Sequence, residues 1–192
     1  MPSTRIALIV LVVTALTGCA VNNYTFNNQT YDSAEAALAA HRAFQADILS
    51  KIAASPVEIP GTAIVISPSK KTCEALGITQ TGAPSNEIVD YLGTYLESEY
   101  AMFSKYLEKS KVFSNVESKI SDYPQEDAKA ASRNYAAVIY IHMISPSQQG
   151  WFMLTSASKT PVQINFDNMA PTGAPRINSW INAISKNAKT RE

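Results

Sequence analysis

The segment 135–144 constrains the fold more than any other part of this sequence. Nine of its ten residues are apolar or aromatic, and the exception is His142. A short apolar run without alternation is typical of a strand in the centre of a sheet, where helices or loops cover both faces. We therefore predict that this segment is a central strand and that the remaining elements pack on either side of it.

The neighbouring patterns predict a mixture of helices and strands. Further strands are expected at 62–67, 111–119, 151–156 and 162–166, the last two as a hairpin, and helices at 32–54, 85–109, 124–133 and from Pro175 onward. The segment 68–84 is predicted to be a long loop with room for one short helical turn. The fold class is therefore α+β, an α/β sandwich in which one mixed sheet of about five strands is packed by helices and preceded by an extra N-terminal helix.

The N-terminus has the pattern of a signal peptide. One basic residue, Arg5, precedes eleven residues (6–16) that are apolar except for Thr14. This run is too short to cross a hydrocarbon core of about 30 Å. The next residues, Leu16-Thr17-Gly18-Cys19, resemble a bacterial lipobox. The alternatives are an ordinary secretory peptide cut near Cys19 and an uncleaved membrane anchor.

The lipobox resemblance implies a lipoprotein whose residues 1–18 are removed and whose Cys19 carries acyl chains such as palmitate. Ala20 stands where an Asp would favour the inner membrane, which implies a periplasm-facing protein anchored in the outer membrane. The expected organisation is then a flexible tether over 19–31, an N-terminal helix over 32–55 and a periplasmic α/β domain over 60–190. Cys73 would be left as a lone thiol, which we expect to be shielded, although Lys70 and Lys71 would lower its pKa if they lay close.

Composition excludes several classes of function. Sixteen Lys and Arg balance sixteen Asp and Glu, so the chain lacks the basic excess of a nucleic-acid-binding protein. No H-E-x-x-H motif or sequence cluster of His, Cys and Asp indicates a metal site, and no glycine-rich phosphate loop or G-x-S-x-G elbow occurs. We predict no catalytic residues, no metal and no cofactor.

Glu99 is the one charge that violates the apolar pattern of its helix. At 100° per residue it falls between Leu92, Tyr95 and Phe103 on the predicted apolar face. A carboxylate in that position needs an internal partner or contacts an external partner or ligand, because leaving it buried and unpaired is costly. His41 lies within the apolar stripe of the first helix, where we expect a hydrogen-bonded core residue rather than a metal ligand.

From residue 62 onward, the order of elements resembles a domain found in several envelope proteins. These include the outer-membrane lipoprotein of curli secretion and the N-terminal domain of TolB. The resemblance rests on the strand at 62–67, the long helix before Val112-Phe113-Ser114-Asn115-Val116-Glu117, the segment Asn134-Tyr135-Ala136-Ala137-Val138-Ile139-Tyr140, and the hairpin around Ser158-Lys159-Thr160-Pro161. The segments that form a secretion pore have no counterpart in this sequence.

The anchor and the resemblance together imply a non-catalytic envelope protein. Its periplasmic domain would bind another envelope protein or self-associate at the outer membrane. The alternative is an auxiliary lipoprotein of a transport complex that binds a lipid or another apolar ligand.

Overall fold

The computed structural model describes residues 24–54, 59–81, 85–145, 148–156, 160–165, 167 and 169–189. The elements in chain order are β1 (Tyr24–Phe26), β2 (Gln29–Tyr31), α1 (Ala34–Ser50), β3 (Ile59–Pro68), α2 (Lys70–Thr81), α3 (Asn86–Ser110), β4 (Phe113–Ser121), α4 (Pro124–Ala131), β5 (Ala137–Ser145), β6 (Gln148–Thr155), β7 (Val162–Ile164) and α5 (Ala174–Lys189).

Five strands form one mixed sheet in the order β4-β3-β5-β6-β7. β3 pairs in parallel with both β4 and β5, whereas β6 and β7 continue the sheet in antiparallel orientation. The predicted fold class, a mixed α+β domain with a five-stranded sheet packed by helices, is confirmed. The predicted pairing of the last two strands is confirmed as well.

The two crossover connections place helices on opposite faces of this sheet. From β3 the chain passes through α2 and α3 to β4 on one side, and then through α4 to β5 on the other side. Two right-handed crossovers that run in opposite directions across a sheet place their helices on opposite faces of it. Accordingly, α3 and α5 belong to the larger buried cluster, whereas Ala128 of α4 belongs to the smaller one.

The central strand β5 contributes to both clusters, as the unbroken apolar run predicts. Ile139 and Ile141 lie in the larger cluster, and Val138 and Tyr140 lie in the smaller one. Each of the four side chains is at most 3% exposed. The larger cluster also contains Trp180, so the prediction that the last helix packs against the sheet is confirmed.

Aromatic rings fill the space between α3, α5 and the sheet. The ring of Phe103 lies 4.6 Å from that of Trp151 and 4.8 Å from that of Trp180. The two tryptophan rings are 5.3 Å apart in an edge-to-face arrangement. Such contacts add to the burial energy and fix the position of α5 on the sheet.

The predicted flexible tether over 19–31 is wrong for residues 24–31, which form a β-hairpin. Asn27 and Asn28 both have positive φ, 51° and 62°, which is the backbone of a type I′ turn. The hairpin is held against α3, because the hydroxyl of Tyr91 donates a hydrogen bond of 3.1 Å to the carbonyl of Thr25. The lipobox and Cys19 lie outside the described residues.

The long loop predicted over 68–84 is also wrong, because most of it is the twelve-residue helix α2. α2 packs closely on α3 at Gly93, where an added Cβ would lie 2.4 Å from Cγ of Glu74. The missing side chain at Gly93 therefore allows the two helices to approach each other.

The helix boundaries differ slightly from those expected. The first helix begins after Ser33, whose hydroxyl accepts the N–H of Ala36, and not at the predicted residue 32. It ends at Ser50, before the predicted 54 or 55. Ser85 caps α3 in the predicted place, and Lys111 closes that helix with a left-handed φ of 59°.

None of the described helices is long and apolar enough to cross a membrane.

Candidate functional site

Glu99 contacts two side chains of α1. Its Oε2 accepts hydrogen bonds from Nε2 of His41 at 2.7 Å and from Nε2 of Gln45 at 3.2 Å. Among the described residues, these are the only hydrogen bonds or ion pairs recorded for its carboxylate. The internal partner that a charge on an apolar face requires is therefore present, and it connects α1 to α3.

The hydrogen-bond network assigns the protons of this cluster. Ser98 donates its hydroxyl to Oε1 of Gln45 at 3.2 Å, which turns the amide nitrogen of Gln45 toward Glu99. The distance of 2.7 Å between His41 Nε2 and Glu99 Oε2 requires a proton between them. When Glu99 is a carboxylate, this proton belongs to Nε2 of His41. Nε2 of Gln45 lies 3.0 Å from the same ring nitrogen and donates to the same carboxylate oxygen. Nδ1 of His41 is buried and has no hydrogen bond in the described part of the chain.

Aromatic rings enclose the imidazole of His41. The ring of Tyr95 lies 4.2 Å from it, and the ring of Phe26, from the N-terminal hairpin, lies at 5.2 Å. His41 is 1% exposed, whereas Glu99 is 34% exposed. The carboxylate thus lies at the mouth of a closed aromatic pocket, and a substrate cannot reach the imidazole in this conformation.

The buried tyrosines around Glu99 are held in their neutral form. Burial is the main cause that raises the pKa of Tyr95 and of Tyr106, and the negative charge of Glu99 raises both further. Two phenols that keep their protons surround the carboxylate with apolar surface and add no charge. The cluster is therefore suited to joining two helices, with one carboxylate edge left accessible.

Cys73 is a shielded thiol, as predicted. It is fully buried, and burial followed by the charges of Glu97 and Glu74 raises its pKa to about 12. The suggestion that neighbouring lysines lower this pKa is not supported, since the ammonium of Lys70 is bound by Asp90 at 2.5 Å. A thiol with this pKa is almost entirely protonated at neutral pH and is a poor nucleophile.

The described residues contain no group of three or more His, Cys, Asp or Glu side chains that could hold a metal ion. The second histidine, His142, packs edge-on against the ring of Phe152 with 5.4 Å between the ring centroids.

β4 forms an open edge of the sheet, which the sequence patterns did not predict. This strand has nine residues, and within the described part of the chain it pairs only with β3. Six of its side chains are exposed, including Ile120 at 55%, and Tyr123 just beyond the strand is 68% exposed. The weak alternation of 111–119 was a signal of this exposure, because a strand covered on its faces is usually more apolar.

Comparison of the chain with protein-family models, with curated proteins and with solved structures finds no significant match.

Proposed function

We propose that this protein is a lipid-anchored, non-catalytic envelope protein that binds other protein chains through the β4 edge of its sheet. The observation that carries the proposal is the outer edge of β4, which no other described strand pairs with and which lies beside two exposed large apolar side chains, Ile120 and Tyr123. Free backbone N–H and C=O groups along an edge are a template for a further strand, and neighbouring apolar side chains add affinity.

The interior of the domain favours this function over binding of an apolar ligand. The space between α3, α5 and the sheet is occupied by the rings of Phe103, Trp151 and Trp180 at contact distances. A lipid-binding protein needs an apolar cavity of some hundreds of Å³ between such layers. The remaining candidate is a contact between Glu99 and an external group. The Glu99 side chain is only 34% exposed, and its carboxylate already joins two helices.

The membrane part of the proposal rests on the lipobox-like sequence at Cys19. Acylation at this residue would hold the domain at the outer membrane, since two or more acyl chains anchor a protein stably. Cys19→Ser should abolish incorporation of labelled palmitate and move the protein out of the membrane fraction. Palmitate incorporated into the Cys19→Ser protein would contradict the assignment.

The interaction part is tested by photo-crosslinking in intact cells. A photoreactive phenylalanine analogue replaces Ile120 in the full chain, and a matched variant carries it at Arg42, an exposed position on α1. We expect ultraviolet light to give discrete protein adducts from position 120 and not from position 42. Adduct patterns that are the same at the two positions would mean that β4 is not an interaction surface.

A further inference from the structure

The β4 edge is self-complementary, and this points to the identity of one partner. Building on the proposed function, we propose that two copies of this chain pair antiparallel through β4, about a two-fold axis at Ser118. The two five-stranded sheets would then join into one continuous sheet.

The hydrogen bonds at the ends of β3 show which backbone groups of β4 are free. The carbonyl of Thr62 accepts the N–H of Ala136. The backbone N–H and C=O groups of the even-numbered residues of β3 therefore point toward β5, and those of the odd-numbered residues point toward β4. The N–H of Ser69 donates to the carbonyl of Ser121, so the odd-numbered residues of β4 face β3. The register is regular from Asn115 to Ser121.

Because the direction of the backbone groups alternates along a strand, the even-numbered residues Val116, Ser118 and Ile120 point their N–H and C=O groups to the open edge. An antiparallel partner must therefore place residues whose own N–H and C=O groups point toward β4 opposite these even-numbered residues. When the partner is a second copy, only registers that pair residues of equal parity make hydrogen bonds.

Among these registers, one matches the charges. With Ser118 on the two-fold axis, Glu117 of each copy lies opposite Lys119 of the other, which gives two ion pairs. If the axis lies at Glu117, the two Glu117 carboxylates of the dimer face each other. If it lies at Lys119, the two Lys119 ammonium groups face each other. Opposite charges on facing residues stabilise strand pairing, and like charges destabilise it.

The same register matches the apolar side chains on the other face of the sheet. Val116, which packs against the larger buried cluster, would lie opposite Ile120 of the second copy. In each copy, Val116 of the other copy would then cover the exposed Ile120. One pairing thus explains both the exposed isoleucine and the alternation of charge along β4.

The charged side chains remain available for this pairing. The hydroxyl of Tyr135 donates to Oε2 of Glu117 at 2.7 Å, and Nζ of Lys119 lies 2.8 Å from Asp127. Both contacts lie on the α4 side of the sheet. Glu117 is exposed, and 49% of the Lys119 side chain is exposed. A carboxylate can accept several hydrogen bonds and an ammonium can donate three, so a second partner can join each contact.

The two edges of the sheet differ in the features that normally prevent pairing. The opposite edge, β7, has only three residues and follows Pro161. β4 has nine residues, no proline or glycine, and no irregularity from Asn115 to Ser121. Short strands, prolines and bulges hinder edge-to-edge association, so of the two edges that the described five-stranded sheet presents, β4 is the one suited to pairing.

Charge reversal in the full-length chain tests the pairing. In Glu117→Lys, both ion pairs become Lys–Lys contacts, and in Lys119→Glu both become Glu–Glu contacts. We expect each variant, purified in detergent, to self-associate at least about tenfold more weakly than the wild type in sedimentation velocity. The two variants mixed together should form a dimer of wild-type affinity, and the double variant should regain self-association.

The rescue separates the dimer from effects within one chain. Loss of the Tyr135 and Asp127 contacts alone would weaken the single variants, the double variant and the mixture alike. A cooperative thermal unfolding transition well above the assay temperature confirms that each variant folds. A wild-type chain that stays monomeric at every concentration, or single variants that the mixture does not rescue, would overturn the pairing.

The crosslinks at Ile120 keep the two proposals distinct. An adduct of twice the chain's mass supports the second copy. Adducts that contain only other proteins would leave the proposed interaction function standing and overturn the dimer. The absence of any adduct would refute both proposals.

Discussion

Glu99→Gln tests whether the carboxylate joins the two helices. The amide can keep an oxygen near His41 and Gln45, so the shape of the site is preserved while the negative charge is lost. A hydrogen bond to a charged group contributes about 1 kcal/mol more than a neutral one, and two such bonds are affected. Because the side chain is 34% exposed, water reduces this effect, and we expect a loss of about 1–2 kcal/mol.

Thermal unfolding measures the loss. For a chain of this size, 1 kcal/mol corresponds to about 2–4 °C, so Tm should fall by about 2–8 °C. The matched control is Glu108→Gln on the same helix, where the side chain is exposed and the change should be within about 0.5 kcal/mol. Equal melting temperatures for the two variants would refute the assignment, and Glu99 would then act outside the fold or not at all.

A double-mutant cycle locates the partner. His41→Leu leaves the carboxylate without its closest donor, and Glu99→Leu leaves a donor of the buried imidazole without an acceptor. Replacing both partners by apolar side chains removes both penalties. The double variant should therefore be more stable than the sum of the single losses predicts, by about 1 kcal/mol or more. Strict additivity would show that the two residues do not interact.

The remaining predictions concern the core, the thiol, the hairpin and one exposed carboxylate. Ile139→Ala should cost about 2–5 kcal/mol, because the side chain is fully buried in the central strand; urea unfolding measures this. Cys73 should react with a thiol reagent at pH 8 only in denaturant, since burial raises its pKa to about 12. Asn28→Val should lower Tm, because a β-branched residue is strained at a φ of 62°. Hydrogen bonds from Lys119 and Ser121 lower the pKa of Asp127. The stability that this carboxylate adds is therefore present above its ordinary pKa and is lost as pH falls below about 4. Asp127→Asn should make the free energy of unfolding less dependent on pH in this acid range.

The sequence predicted the elements that have strong periodicity and missed two that depend on tertiary contacts. The apolar run of β5 predicts a strand and the wide apolar stripe of α3 predicts a helix, because both patterns extend over many residues. The turn at Asn27 and Asn28 lacks the glycine that usually marks a type I′ hairpin. α2 is weakly amphipathic, and its contact with α3 depends on Gly93, a residue on the other helix.

The candidate site was predictable in its parts but not as an assembly. Helical spacing places Glu99 and His41 each on an apolar face, where a polar residue needs a partner. Their sequence separation is 58 residues, and nothing in either helix specifies the other. The open edge of β4 is harder to predict, since the position of a strand within a sheet depends on the connections between strands.

The hairpin of β1 and β2 also decides where mechanical force would enter this fold. If Cys19 is acylated, only residues 20–23 separate the membrane from Tyr24, and even fully extended they reach no more than about 18 Å. A pull on the anchor would first act on the hairpin. To detach the hairpin, the force would have to break the hydrogen bond from Tyr91 to Thr25 and the ring contact between Phe26 and His41. Because these contacts join the hairpin to α1 and α3 and not to the sheet, the N-terminal elements would be loaded before the β4 edge.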